Sequence, residues 1–266
     1  MKPRNRGKGL KPPSFFSFGG IVVKSPGILE DTAEVLETTI PRVERLTVLN
    51  EKEKKKVISL LKEAAENFRR LAKNVKKDNV ELAEFFFKKA KELKNMSTDK
   101  GIEREGKKKY LERVKKMNLY SKSAVYDFDP EMLKALKKAY RTYIFGMTAF
   151  FLLVGVYMSQ IMAVTALILA IPIILSMLSL QRRGYLGLLL AYSAAPIPII
   201  QGVMGLTYGI RQLTTPGAIE KIAGTINKSP QFVEGWLIFM VVLSAVELYL
   251  ILSGLYLLYK HRHAFL

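Results

Sequence analysis

Residues 142–180 read TYIFGMTAFFLLVGVYMSQIMAVTALILAIPIILSMLSL, 39 consecutive positions without a formal charge. A bilayer core takes roughly 20 helical residues, so this run suits two crossings joined by a very tight turn. Ser159-Gln160 is the only adjacent polar pair within it and falls near its middle. The pattern predicts spans over 142–157 and 161–180, although the turn has no Gly, Pro or Asp to favour it.

Toward the C-terminus, Gln181-Arg182-Arg183-Gly184 interrupts the apolar run and a third span is predicted over 185–210. Residues 211–234 hold Pro216, Gly217, Gly224 and Pro230 and read as a polar loop with a short helix. A fourth span follows at 236–259, with Trp236 and Tyr259 as aromatic residues suited to the two interfaces. The segment GLTYG at 205–209 is a small-xxx-small pattern of the kind that brings helices together.

The positive charges give these spans a direction. Lys134, Lys137, Lys138 and Arg141 precede the first span, Arg182 and Arg183 follow the second, and Lys260 and Arg262 follow the fourth. Four spans put all of them on one side, which the positive-inside rule makes the cytoplasm. A single crossing over 142–180 would put Arg182 and Arg183 outside, against that bias. The expectation is a multi-pass cell-membrane protein with both termini cytoplasmic and 261–266 as a short tail.

Toward the N-terminus the chemistry changes. Residues 1–141 hold 35 of the 42 Lys+Arg and 20 of the 23 Asp+Glu, a surplus of 15 positive charges. Residues 1–27 are read as a disordered basic tail, and the apolar stretch 15–23 is too short and Gly-broken for a signal-peptide core, so no cleavage is expected. Residues 28–119 read as a cytoplasmic helical bundle. A short acidic helix at 28–39, capped near Asp31 and stopped by Pro41, comes ahead of three bundle helices. Val57, Leu61, Ala64, Phe68, Leu71 and Val75 form one apolar stripe at steps of three and four. Asp78 or Asn79 caps the next helix, whose buried face is Ala83, Phe86, Phe87, Ala90 and Leu93. A third helix turns Tyr110, Leu111, Val114 and Met117 inward. Residues 120–141 are a linker and a juxtamembrane basic helix, with Pro130 in its first turn and the helix continuing into the first span.

The Ala/Phe helix pairs resemble tetratricopeptide units, and KKYLERVKK at 108–116 is similar to the closing helix of microtubule-interacting-and-transport bundles. Packing alone accounts for the same spacing, so a generic all-α bundle is the reading retained.

Two features bear on function. The first is charge. Lys134, Lys137, Lys138, Arg141, Arg182 and Arg183 are candidates for binding an anionic surface, because juxtamembrane cations are each worth about 1 kcal/mol beside anionic lipid. Beyond the bilayer and its anionic headgroups, a cytoplasmic protein, a nucleic acid or a ribosome are the partners such a surplus fits, and no nucleic-acid-binding motif supports the last two. Lys/Glu-mixed stretches such as 51–56 and 103–109 read as solvated helix faces.

The second is Glu247, a carboxyl in mid-span, where it is costly as an anion and serves as a hydrogen-bond donor when protonated. Ser244 shares its helix face. Pro196 and Pro198 break the third span and free carbonyls at Tyr192 and Ala194, so Tyr192, Ser193 and Gln201 are predicted to meet Glu247 at one depth. The competing reading is structural, a single interhelical hydrogen bond that fixes packing.

Cysteine is absent, which excludes disulfides and thiolate chemistry. His261 and His263 are the only imidazoles, two apart, and read as a basic tail rather than a metal site. There is no HExxH, P-loop, GxSxG or dinucleotide fingerprint. The expectation is a non-enzymatic protein without metal or cofactor: a membrane-anchored scaffold or adaptor, with a small transporter or channel component using Glu247 as the alternative.

Overall fold

Asn50 starts the longest helix of the polar half by a reciprocal cap: its side chain accepts from the Glu53 N–H at 2.9 Å, and the Glu53 carboxylate accepts from the Asn50 N–H at 3.0 Å. The structure, a computed structural model, describes residues 16–18, 21–157 and 160–266. The chain divides into two compact units, one ending at Met132 and the other beginning at Leu133.

In the first unit, β1 (Phe16–Phe18) pairs antiparallel with β2 (Ile21–Val23), Ser17 opposite Val22. The helices are α1 (Ser25–Glu37), α2 (Ile40–Glu44), α3 (Glu51–Lys73), α4 (Val80–Met96), α5 (Asp99–Glu105), α6 (Lys107–Ser123) and α7 (Val125–Phe128). The tail expected through residue 27 is thus ordered where described: the strand pair lies inside it and a helix starts at Ser25. The N-terminal 15 residues, expected to be disordered, lie outside the described residues.

α1 is also more than a preliminary helix. It buries Leu29, Ala33 and Leu36 completely against α3 and α4, so four long helices share the core rather than three, with Val43, Ile102 and Phe128 added by the short ones. Its cap is not Asp31, which lies within the helix, but Asp78: that carboxylate accepts from the N–H and hydroxyl of Ser25 and from the Lys24 N–H. Asn79 in turn caps α4 through the Leu82 N–H. Arg69 on α3 holds α1 from the side, with both terminal nitrogens on Glu37 at 2.7 and 2.9 Å and Nε on Glu30 at 3.1 Å. These ions are two-fifths exposed. Such a pair contributes about 1 kcal/mol or less, against about 1.5–3 kcal/mol for burying one Leu side chain, so apolar burial decides where α1 sits.

The stretch 120–129, expected as a linker, belongs to this unit. α6 continues to Ser123, α7 follows, and Tyr126 and Phe128 are buried. The Phe128 carbonyl accepts from the N–H groups of Lys76 and Lys77, both at 3.0 Å. Phe87, expected on the buried face of α4, is only half-buried and carries the Lys91 ammonium 4.0 Å from its ring centre.

The next helices are α8 (Pro130–Tyr157), α9 (Gln160–Gln181), α10 (Tyr185–Ala194), α11 (Pro196–Thr214), α12 (Ala218–Ile226) and α13 (Pro230–Lys260). Pro130 opens α8, which runs unbroken through the basic flank as expected. The chain has four helical runs long and apolar enough to cross a membrane: Pro130–Val156, Ala163–Gln181, Tyr185–Thr214 and Pro230–Lys260. Met158 and Ser159, at the expected tight turn, lie outside the described residues. The prolines divide the third run at Ala195. The fourth starts six residues before its expected boundary, because Ser229 caps it through the Phe232 N–H and Pro230 fits its first turn. The outward faces of these helices are apolar, with Ile161, Leu167, Ile168 and Ile171 all at least two-thirds exposed on α9 alone. Water penalises such a surface and lipid does not.

Candidate functional site

α13 is the helix around which the second unit is organised. Its buried residues are Val233, Leu237, Met240, Ser244, Glu247, Ile251, Gly254 and Leu258. The steps alternate four and three, so one narrow seam faces its neighbours. Two helices meet that seam through glycine. On α8, a methyl at Gly146 would lie 2.9 Å from the Ile251 nitrogen, and Gly254 brings α13 so near Tyr143 that a methyl there would lie 2.7 Å from its Cα. On α11, Gly202 faces Leu248 and Glu247, and Gly209 faces Val241. Both pairings run antiparallel, and extending the first brings the fully buried Phe150 to the depth of Glu247.

Glu247 is fully buried, and neither carboxylate oxygen has a hydrogen-bond partner among the described residues. Its closest described environment is apolar: a methyl at Gly202 would lie 3.0 Å from Oε2 and 2.7 Å from Leu248 Cγ. Ser244, buried one turn before it, donates to its own helix at the Met240 carbonyl, 2.8 Å away, rather than to the acid. Gln201 is buried on α11 beside Gly202, at the depth of Glu247. Pro198 is buried and Pro196 exposed at the α10–α11 break.

Tyr192 and Ser193 do not join this group. Tyr192 lies ten residues before Gly202, about 15 Å along a helix, and its electrostatic neighbours are Tyr259 and Arg262 at the far end of α13. Ser193 is exposed and donates to Leu190. Common depth could not be read from the proline positions, because it depends on the register between helices. Nothing in the sequence marked Gly202 or Gly146 as contact points. The four-three alternation on α13 was hidden because the span is apolar on every side.

No protein-family model, curated protein or solved structure matches this chain. Its chemistry is therefore read from its own residues.

The cations singled out in the sequence lie at one end of the second unit. Tyr143 against Gly254 places Arg141 beside the C-terminal end of α13, where Lys260 closes the helix and Arg262 follows it. The Leu266 N–H donates to the Arg183 carbonyl at 2.9 Å, tying the Arg182-Arg183 turn to the same end. Lys134, Lys137, Lys138, Arg141 and Arg182 are exposed there, and Arg183 is half-buried.

In the first unit, acids are largely engaged. Glu53 pairs with Lys107, Glu63 with Lys122, and Glu105 with Lys109 and Arg113, while Asp99 accepts from the Thr47 and Val48 N–H groups. The two backbone N–H bonds hold the Asp99 carboxyl below its ordinary pKa, and the Lys107 ammonium does the same for Glu53. Lys52, Lys56 and Lys115 are exposed and make no ion pair among the described residues; they flank a groove of about 270 Å³ between α3 and α6, floored by Val57, Leu60, Leu111 and Val114. Among the described residues no three His, Asp or Glu side chains converge on a point.

Proposed function

We propose that this chain is a non-enzymatic membrane-anchored scaffold, whose basic helical unit binds an acidic segment of another protein at the cytoplasmic face of the cell membrane. The observation that carries it is the α3–α6 groove: an apolar floor between unpaired lysines, Glu53 already neutralised by Lys107. An amphipathic acidic helix matches both features, its apolar face on the floor and its carboxylates on Lys52, Lys56 and Lys115. Anionic headgroups or an RNA would use the charge but leave the floor without a role. The cation-bearing end of the helical membrane unit supports this orientation by the positive-inside rule.

The test is co-purification of the full chain from mild detergent, alongside the triple variant Lys52→Glu, Lys56→Glu, Lys115→Glu and the variant Glu247→Gln. A stoichiometric protein partner that is lost with the triple variant and kept with Glu247→Gln supports the scaffold. A partner indifferent to the lysines removes the groove from the account.

A second reading, a small transporter or channel component, is favoured by one observation: the buried Glu247 carboxyl with neither oxygen bonded. Intramembrane acids are a recurring mark of ion pathways. In that case Glu247→Gln, and not the lysine triple, abolishes proton- or ion-coupled flux in proteoliposomes.

A further inference from the structure

At the end of the second unit away from the arginine turn, a cleft of about 790 Å³ opens between the last turns of α11, the loop at Thr215–Gly217, α12 and the first turns of α13. Its walls combine two chemistries. Arg211 and Lys221 supply cations, and neither side chain takes part in an ion pair or hydrogen bond among the described residues. Tyr208, Phe232 and Trp236 supply aromatic surface, and Thr225 a hydroxyl. The other acids of this end, Glu220 and Glu234, do not line it.

The cleft is held in place by its frame. Gly217 adopts φ 73° and Asn227 φ 52°, left-handed conformations that turn the chain sharply at each end of α12. Ala223 of α12 packs with Val233, Leu237 and Leu153, fixing that helix across α13. Trp236 and Tyr208 stand near the polar ends of apolar helices, the level at which aromatic rings meet lipid headgroups. Next to them the outer faces of α11 and α13 expose Ile210 and Phe239.

We propose that this cleft binds the headgroup of an anionic phospholipid, with Arg211 and Lys221 on the phosphate and the aromatic wall against the glycerol and upper acyl carbons. A free phosphate ester satisfies the two cations equally well but leaves the aromatic wall and adjoining apolar faces uncovered; the membrane supplies both parts of the ligand at this level. The site lies at the opposite end of this unit from Arg141, Arg182 and Arg183, so it is separate from the basic flank.

Trp236 is the only tryptophan in the chain, which gives the cleft its own reporter. The experiment titrates the purified full chain in dodecylmaltoside with dihexanoyl phosphatidylglycerol, dihexanoyl phosphatidylcholine and glycerol 3-phosphate while reading tryptophan emission. The expected result is a saturable shift with phosphatidylglycerol only. It weakens at least about tenfold in Arg211→Gln/Lys221→Gln, the order expected for removing two cation contacts to an anionic lipid. It survives in the charge-preserving Arg211→Lys/Lys221→Arg and in Arg182→Gln/Arg183→Gln, which removes the same charge at the other end. An equal response to phosphatidylcholine, or an unchanged titration in Arg211→Gln/Lys221→Gln, overturns the site. A saturable response to glycerol 3-phosphate at the same concentrations overturns the lipid as its occupant.

Discussion

Gly202 on α11 lies directly against Glu247 on α13, with room for hydrogen and not for a methyl: an added carbon would stand 3.0 Å from the carboxylate oxygen and 2.7 Å from Leu248 Cγ. The contact explains how a carboxyl fits a helix seam built, apart from Ser244, from Val, Leu, Met, Ile and Gly. It does not explain what satisfies the acid, since both oxygens lack partners. Glu247→Met is therefore expected to raise the thermal midpoint of the detergent-solubilised protein, because replacing an unsatisfied buried polar group by an apolar one of similar size is neutral or stabilising. A midpoint lowered by several degrees would mean the carboxyl is bonded in the working protein, in favour of a structural role in packing and against the transporter reading.

The glycines on the seam differ in what they touch, so their alanine variants should rank. At Gly202 the obstructing atoms are the far ends of Leu248 and Glu247, which can move; at Gly254 they are the Tyr143 nitrogen and Cα, both 2.7 Å away, which cannot. Gly254→Ala is expected to cost about 1–3 kcal/mol, the usual overpacking range, and Gly202→Ala less than half as much. Unfolding in sodium dodecyl sulfate titrations measures both, and the reverse order would refute the antiparallel contact of α8 with α13.

The same comparison of magnitudes applies to the first unit. Phe68 is fully buried and stacks 5.3 Å from Phe86, whereas the neighbouring Arg69 makes three part-exposed charged contacts. Phe68→Ala should cost about 3–5 kcal/mol, and Arg69→Ala about 1 kcal/mol or less. Hydrogen exchange over α1 and α3 in the full chain distinguishes the two. If Arg69→Ala proves as damaging as Phe68→Ala, α1 is held by ions and not by its apolar face.

What could be read in advance followed the range of the interaction. The four apolar runs depend on composition over about twenty residues, and they stand within a few positions of their expected limits except where α8 carries the first back through the basic flank to Pro130 and where Ser229-Pro230 lengthens α13. One cap from a neighbour was legible too, Asn79 at the start of α4. The cap on α1 was not, because Asp78 reaches it across 53 residues. α1 was expected only as a short acidic helix ahead of the bundle, and Arg69, which pairs with Glu30 and Glu37, lies more than thirty positions away. The candidate site divided the same way. Ser244 and Glu247 share a face by helical arithmetic alone, whereas Tyr192 was misplaced in depth because only Gly202 and Gly209 against α13 set the register. The Arg211–Lys221 cleft needs the fold of α12 across α13, and no local pattern announces it.

Asp78 gives the first unit a pH dependence whose sign can be worked out. Burial raises its carboxyl pKa, but the hydrogen bonds from the Ser25 hydroxyl and from the N–H groups of Ser25, Lys24 and Asn79 outweigh that and leave it below the ordinary value. A carboxyl with a depressed folded pKa adds stability above its unfolded value, about 3.9, and loses it as pH falls through the folded value. Asp78→Asn should therefore loosen the start of α1 at pH 7 by about 1 kcal/mol, the worth of a helix cap, and the difference should shrink toward pH 3, below the unfolded value, and vanish only below the depressed folded value. Hydrogen exchange of the α1 amides, compared between wild type and variant at each pH, reads this directly. A difference that persists undiminished at pH 3 would mean that the shape of the side chain, and not its charge, holds the helix end.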